Sequence, residues 1–135
     1  MRRLGLFAMC AFYGAAMAGP SEDIIAKCWT DHDHPAMTKC VRERAQVAQA
    51  SLDRAEREVR QTLAQSSNDR QRREQIQKRL DASTEIYQTF RATECAVLHT
   101  LASTGNGAAE ARWSCEAVLD EQRVQRLQSA SWWLK

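Results

Sequence analysis

The densest run of chemically capable side chains is Asp31-His32-Asp33-His34, four candidate metal ligands in succession. Zinc accepts imidazole and carboxylate ligands, but its sites usually draw them from separated segments held by a second layer of contacts. A continuous tetrapeptide followed by Pro35 reads instead as a polar loop, and no metal is expected. His99 stands alone in a helical stretch and is expected to be an ordinary surface or boundary residue. Nucleophilic catalysis needs a serine or thiolate activated by a neighbouring base, and no Ser, His and acid arrangement of that kind is visible. Glycoside hydrolysis needs two carboxylates placed across a cleft. Here the acids alternate with arginines at helical spacing, as in Arg54–Glu58 and Glu56–Arg60, which predicts pairs on one helix surface. No catalytic residue and no cofactor are expected.

The cysteines carry the remaining chemistry, and their reading depends on the first residues. Arg2 and Arg3 precede an apolar run from Leu4 to Ala16, and Ala16-Met17-Ala18 supplies small residues at a cleavage position. That is the layout of an export signal. The run is shorter than the roughly 20 residues that span a bilayer as a helix. Residues 1–18 are therefore predicted to be a signal peptide, with residues 19–135 as the mature domain and no membrane span after cleavage. Of the five cysteines, Cys10 leaves with the signal, and Cys28, Cys40, Cys95 and Cys115 remain. An even number in an exported chain of this size predicts two disulfides. Of the 19 Lys and Arg, removing Arg2 and Arg3 leaves 17, equal to the 17 Asp and Glu. A neutral mature chain gives no support for nucleic acid as a partner.

The elements that hold these residues are helical. Val41, Ala45, Ala48, Leu52, Ala55, Val59 and Leu63 recur at spacings of three and four, one apolar stripe on a helix. Met37 and Cys40 extend it backward. Ser66-Ser67-Asn68-Asp69 is a turn and N-cap signal. A second helix is predicted from about 69 to 103, with a stripe of Ile76, Leu80, Ser83, Tyr87, Phe90, Glu94, Val97 and Leu101, widened by Ile86 and Leu98. Thr104-Gly105-Asn106-Gly107 predicts a glycine-capped end. A third helix follows from about Ala108 to 130, with Glu110 in its first turn and Cys115, Val118, Leu119 and Leu127 along it. A short helix near Ser21–Trp29 precedes them. The fold class is all-α, an antiparallel bundle of three long helices plus a short N-terminal helix, stapled by two disulfides. Cys95 and Cys115 lie equally far either side of Gly105, and Cys28 and Cys40 equally far either side of His34. Positions flanking a turn symmetrically sit at one height in a helical hairpin. Among the three possible pairings, Cys28–Cys40 with Cys95–Cys115 is therefore preferred.

Two surface features remain. Arg70, Arg72, Arg73, Lys78 and Arg79 make a basic start to the second helix. They lack the interleaved aromatics of a single-strand binder, and a solvated face is expected. Ser131-Trp132-Trp133-Leu134 has two readings. The tail folds back onto the bundle beside Trp29, or Trp132 and Trp133 contact a partner, as interface tryptophans often do.

Cys28, Met37-x-x-Cys40 and Leu52-Asp53 are followed by Tyr87-x-x-Phe90-Arg91-x-x-x-Cys95. Gly105, Gly107 and Cys115-x-x-x-Leu119-x-x-x-Arg123-x-x-x-Leu127 complete the series. Over residues 28–127 this resembles the LprI-like lysozyme-inhibitor domain. The resemblance implies a small secreted helical domain with paired cysteines and a protein partner, lysozyme or another wall hydrolase. The sequence departs from the family pattern where Tyr87 and Phe90 replace Trp and Tyr, where Asp120 replaces Thr, and where Glu56 stands at a position usually tyrosine. Arg91 and Arg123 have two readings. They pair with acids such as Glu94, Asp120 and Glu121 between the second and third helices, which is preferred because semi-buried Arg favours carboxylate partners, or they present a partner surface. The function expected is a periplasmic or secreted binding protein that occupies a lysozyme-type cleft, with Glu22, Asp31 and Asp33 as a local acidic cluster. The alternative is an envelope interaction or immunity-type module that docks through its tryptophan tail.

Overall fold

The computed structural model describes residues 20–30 and 33–134. The predicted signal peptide, Asp31 and His32 lie outside them. Among the described residues there are four α-helices and no strand: α1 (Pro20–Thr30), α2 (His34–Gln65), α3 (Arg70–Leu101) and α4 (Ala108–Ser131). Short 3-10 turns, Ala102–Thr104 and Trp132–Leu134, follow α3 and α4.

The start of α2 is set one turn earlier than the loop reading of His34 and Pro35 implied. Asp33 is the N-cap and accepts a hydrogen bond from the Ala36 amide at 3.1 Å. Pro35 then falls in the first turn, where its missing N–H has no partner to lose. Asp69 caps α3 in the same way, accepting from the Arg72 amide at 2.9 Å. Gly105 caps the helical run of α3, its amide donating to the Ala102 carbonyl at 3.2 Å, but not in the left-handed conformation of a glycine cap. The helix tightens into the 3-10 turn instead, and Gly105 has a φ of −138°, open to any residue.

The buried residues of α2 are Met37, Val41, Ala45, Ala48, Leu52, Ala55, Val59 and Leu63, the stripe read from spacing alone. Its principal partner is α4. Three alanines of α2 and the fully buried Ala117 of α4 let the two backbones approach closely, since interaxial distance follows side-chain size. Paired residues advance together, from Thr38 with Glu110 to the cluster of Leu52, Ala55, Val59 and Leu127. The two helices are therefore parallel, and α3 runs antiparallel to both. This is the expected antiparallel bundle of three long helices, with α4 lying between α2 and α3, which touch each other little. Ile24 and Cys28 of α1 cover one end with Met37, Val41 and Ala45. Two disulfides, Cys28–Cys40 and Cys95–Cys115, tie α1 to α2 and α3 to α4, the pairing preferred from turn symmetry.

The stripe predicted for α3 is corrected. Leu80, Tyr87 and Leu98 are half-buried, but Ile86, Phe90, Glu94, Val97 and Leu101 are exposed. The side facing the bundle carries Leu80, Thr84, Tyr87, Arg91 and Cys95. A strict alternation of three and four drifts by about 20° per heptad on a straight helix. By the second half of α3 the predicted stripe has turned away from α4, and the disulfide at Cys95 sets the true facing side.

Candidate functional site

Where α3 crosses α4 the contact is polar. Asp120 of α4 is fully buried. Arg91 Nη2 donates to its Oδ2 at 3.0 Å, while Nε lies 2.8 Å from Oδ1 as an ion pair outside hydrogen-bond geometry. The Tyr87 hydroxyl donates to the same Oδ1 at 2.6 Å. Arg91 also reaches Glu116 at 3.4 Å, and Arg112 holds that carboxylate from the next turn at 2.9 Å. One turn along, Arg123 donates to Ser83 Oγ at 2.9 Å and places its guanidinium 5.2 Å from the Tyr87 ring centre. Its Nη2 is 3.9 Å from Glu56 of α2, which accepts from Thr84 at 2.9 Å. Residues of three helices thus meet in one network. Charge-assisted bonds among largely desolvated groups fix orientation because a displaced member leaves an unpaired charge.

Arg91 and Arg123 are directed into the contact between the helices, with partners that differ in part from the acids near in sequence. Asp120 was foreseen. Glu94 and Glu121 remain exposed, and Glu116, Glu56, Ser83 and Thr84 take their places. The expected Glu56–Arg60 pair is not formed either: Glu56 serves the network and Arg60 reaches Asp81 of α3 at 3.1 Å. Nor is Arg54–Glu58 among the ion pairs. Leu119 is half-buried beside the network, and Phe90 faces outward. Glu56, Tyr87 and Asp120, three positions that depart from the family pattern, are close neighbours in space. A signal for this lay in the Cys95–Cys115 pair, whose antiparallel register places Tyr87 opposite Arg123 and Arg91 opposite Leu119 and Asp120.

Tyr87 is the group most perturbed. Burial pushes its phenol well above the usual tyrosine range, and the hydrogen bond to the Asp120 carboxylate adds to this. In the chain from residue 19 onward Tyr87 is the sole tyrosine, so tyrosinate absorbance reports it alone. In the native protein it should titrate above its pH in the unfolded chain. Because the unfolded state releases the proton first, stability should be fully present below about pH 10 and fall as pH rises beyond it. Native titration near the ordinary tyrosine value would contradict the bond to Asp120.

A second buried acid lies at the start of α4. Glu110 is 3% exposed and accepts from Thr38 Oγ1 at 2.5 Å, and its other oxygen has no protein partner. Its place in the first turn is favourable for a negative charge. Among the described residues no group of three His, Cys, Asp or Glu could hold a metal. Asp33 is spent on its cap, and His34 packs edge-on against Trp29 at 5.9 Å.

The C-terminal tail does not return to Trp29. Leu134 packs against the cluster of Leu52, Ala55, Val59 and Leu127. Trp132 and Trp133 stand out from it, 69% and 81% exposed, edge-to-face with each other at 5.2 Å. A mostly apolar groove of about 470 Å³ lies where α1 meets α3 and α4, lined by Pro20, Ile25, Leu98, Leu101, Ala111 and Ser114.

The family model described as lysozyme inhibitor LprI matches residues 26–127. The chain belongs to the lysozyme inhibitor LprI family. The match begins inside α1 and ends at Leu127, so it takes in both disulfides and the whole polar network of this LprI domain. Neither a curated protein nor a solved structure gives a match to the chain. Among the described residues of the LprI domain no helix is long and apolar enough to cross a membrane.

Proposed function

We propose that the protein is exported, loses residues 1–18, and inhibits a lysozyme or related wall hydrolase in the periplasm or outside the cell by direct binding. The family match over residues 26–127 carries this reading. The paired cysteines agree with an oxidising compartment, and intact mass of the exported protein should place its first residue at Gly19. The residues proposed to meet the target are Trp132 and Trp133. A cleft built for sugar rings accepts flat apolar faces, and an exposed aromatic pair on an anchored turn offers them at low cost in entropy. A neutral mature chain gains little association rate from charge, so affinity rests on such apolar contact.

The test is lysis of wall substrate by animal, phage and bacterial lysozymes with the mature protein added. Saturable inhibition is expected. The double variant Trp132→Ala/Trp133→Ala should weaken it by about 30-fold or more, the effect of losing one hot spot of ~2 kcal/mol. Because Leu134 stays in place, the thermal midpoint should hardly move. Absence of inhibition by the wild-type protein at high excess would remove the hydrolase reading. The same exposed pair favours a second reading, a module that docks on another envelope protein. That reading expects capture of an envelope partner that is lost in the double variant, with no effect on lysis.

A further inference from the structure

The face of α3 turned away from α4 is apolar and uncovered. Ile86, Phe90, Val97 and Leu101 are 69%, 50%, 51% and 71% exposed, and a shallow depression lined by Ala82, Glu85, Thr89 and Thr93 runs beside Ile86 and Phe90. Four large apolar side chains exposed along one helix face, with Thr93 and Glu94 between Phe90 and Val97, make a patch of the kind that marks an interaction surface. Its spacing has a symmetry of its own. About the midpoint between Arg91 and Ala92, Ala82 mirrors Leu101, Ile86 mirrors Val97, and Phe90 mirrors Thr93. A two-fold interface requires that property, because each residue must meet its mirror position on the other copy.

We propose that α3 pairs antiparallel with α3 of a second copy of this chain, about a two-fold axis at Arg91–Ala92. Ile86 then meets the partner subunit's Val97, and Phe90 meets the partner subunit's Thr93. The small residues Ala82, Thr89 and Thr93 permit close approach of the axes. Charge fits the same register. Mirror positions bring no like charges together: Glu94 falls opposite Thr89 of the partner subunit. Arg79, exposed and in no ion pair among the described residues, reaches the C-terminal end of the partner subunit's α3, where the helix dipole is negative. One helix pair of about 30 Å buries roughly half of the ~800 Å² per partner in a standard interface, so the dimer is weak and exchanges with monomer. The tryptophan tail lies on α4 and plays no part in it.

Sedimentation equilibrium of the protein from residue 19 onward, without any hydrolase present, tests this. The mass should rise from one chain toward two with concentration. Ile86→Lys alone and Val97→Glu alone should each weaken association at least about tenfold, since each sets a charge against an apolar side chain. Combined in one chain, I86K/V97E should restore it, because each lysine then faces a glutamate across the axis, twice. The two positions lie 11 residues apart, so no pair forms within one chain. Circular dichroism of the variants should match wild type, as both positions are exposed. A monomer at every concentration would overturn the proposal, and so would a double variant that stays as weak as the single ones, since parallel pairing would bring like charges together.

Discussion

Replacing Asp120 by Ala should destabilise the bundle by about 3–5 kcal/mol, the usual effect of removing one partner from a buried ion pair. The carboxylate is fully buried and receives Arg91 on both oxygens and Tyr87 on one. Without it the Arg91 guanidinium keeps only Glu116 at 3.4 Å, and the Tyr87 hydroxyl loses its acceptor. For a domain of this size each kcal/mol lowers the midpoint by roughly 4 °C, so calorimetry should find a fall of more than ten degrees. Tyr87→Phe removes one hydrogen bond and should cost about 1 kcal/mol. The double variant Arg91→Met/Asp120→Leu distinguishes charge from packing. With both charges gone the desolvation penalty is gone too, and most of the lost stability should return. A small effect of D120A, below about 1 kcal/mol, would mean that the network does not hold α3 to α4.

The second large effect concerns the Cys95–Cys115 staple. Replacing both cysteines by Ala should cost about 3 kcal/mol, as expected for closing a loop of this length in the unfolded chain, with a sequence separation of 20. Cys28–Cys40 closes a shorter loop, separation 12, and its removal should cost slightly less in the same entropic account. The consequence of losing Cys95–Cys115 should be more local than a lower midpoint alone. α3 makes few contacts with α2 and meets α4 largely through polar groups, so its rotation depends on that bond and on Arg91. Urea unfolding followed by hydrogen exchange should therefore show earlier opening in α3 than in α2. Uniform loss of protection across all helices would refute this division of roles.

The helices, their order and the cysteine pairing follow from the linear pattern because each is a local property. The stripe of α2 is apolar at every facing position, so burial there needs no knowledge of the partner. Turn symmetry sufficed for the disulfides because a hairpin fixes the height of residues either side of it. Removal of residues 1–18 remains a proposal, since they lie outside the described residues. The rotation of α3 was decided only in three dimensions. Its apolar residues suggest one face, but Arg91, Tyr87 and Cys95 turn another toward α4, since a buried charge pair and a covalent bond constrain orientation more strongly than four exposed apolar side chains. Glu56 and Arg60 illustrate the same limit. On an isolated helix they would pair with each other at i,i+4 spacing for a few tenths of a kcal/mol, whereas in the bundle the half-buried Arg123 and Thr84 take Glu56 and leave Arg60 to the exposed Asp81 of α3. The tail was split by the same kind of choice: Leu134 found a space beside Leu127 and Val59, which left Trp132 and Trp133 in solvent. Sequence spacing determines which residues share a face. Only the packed neighbours, through burial and paired charge, decide which face is turned inward.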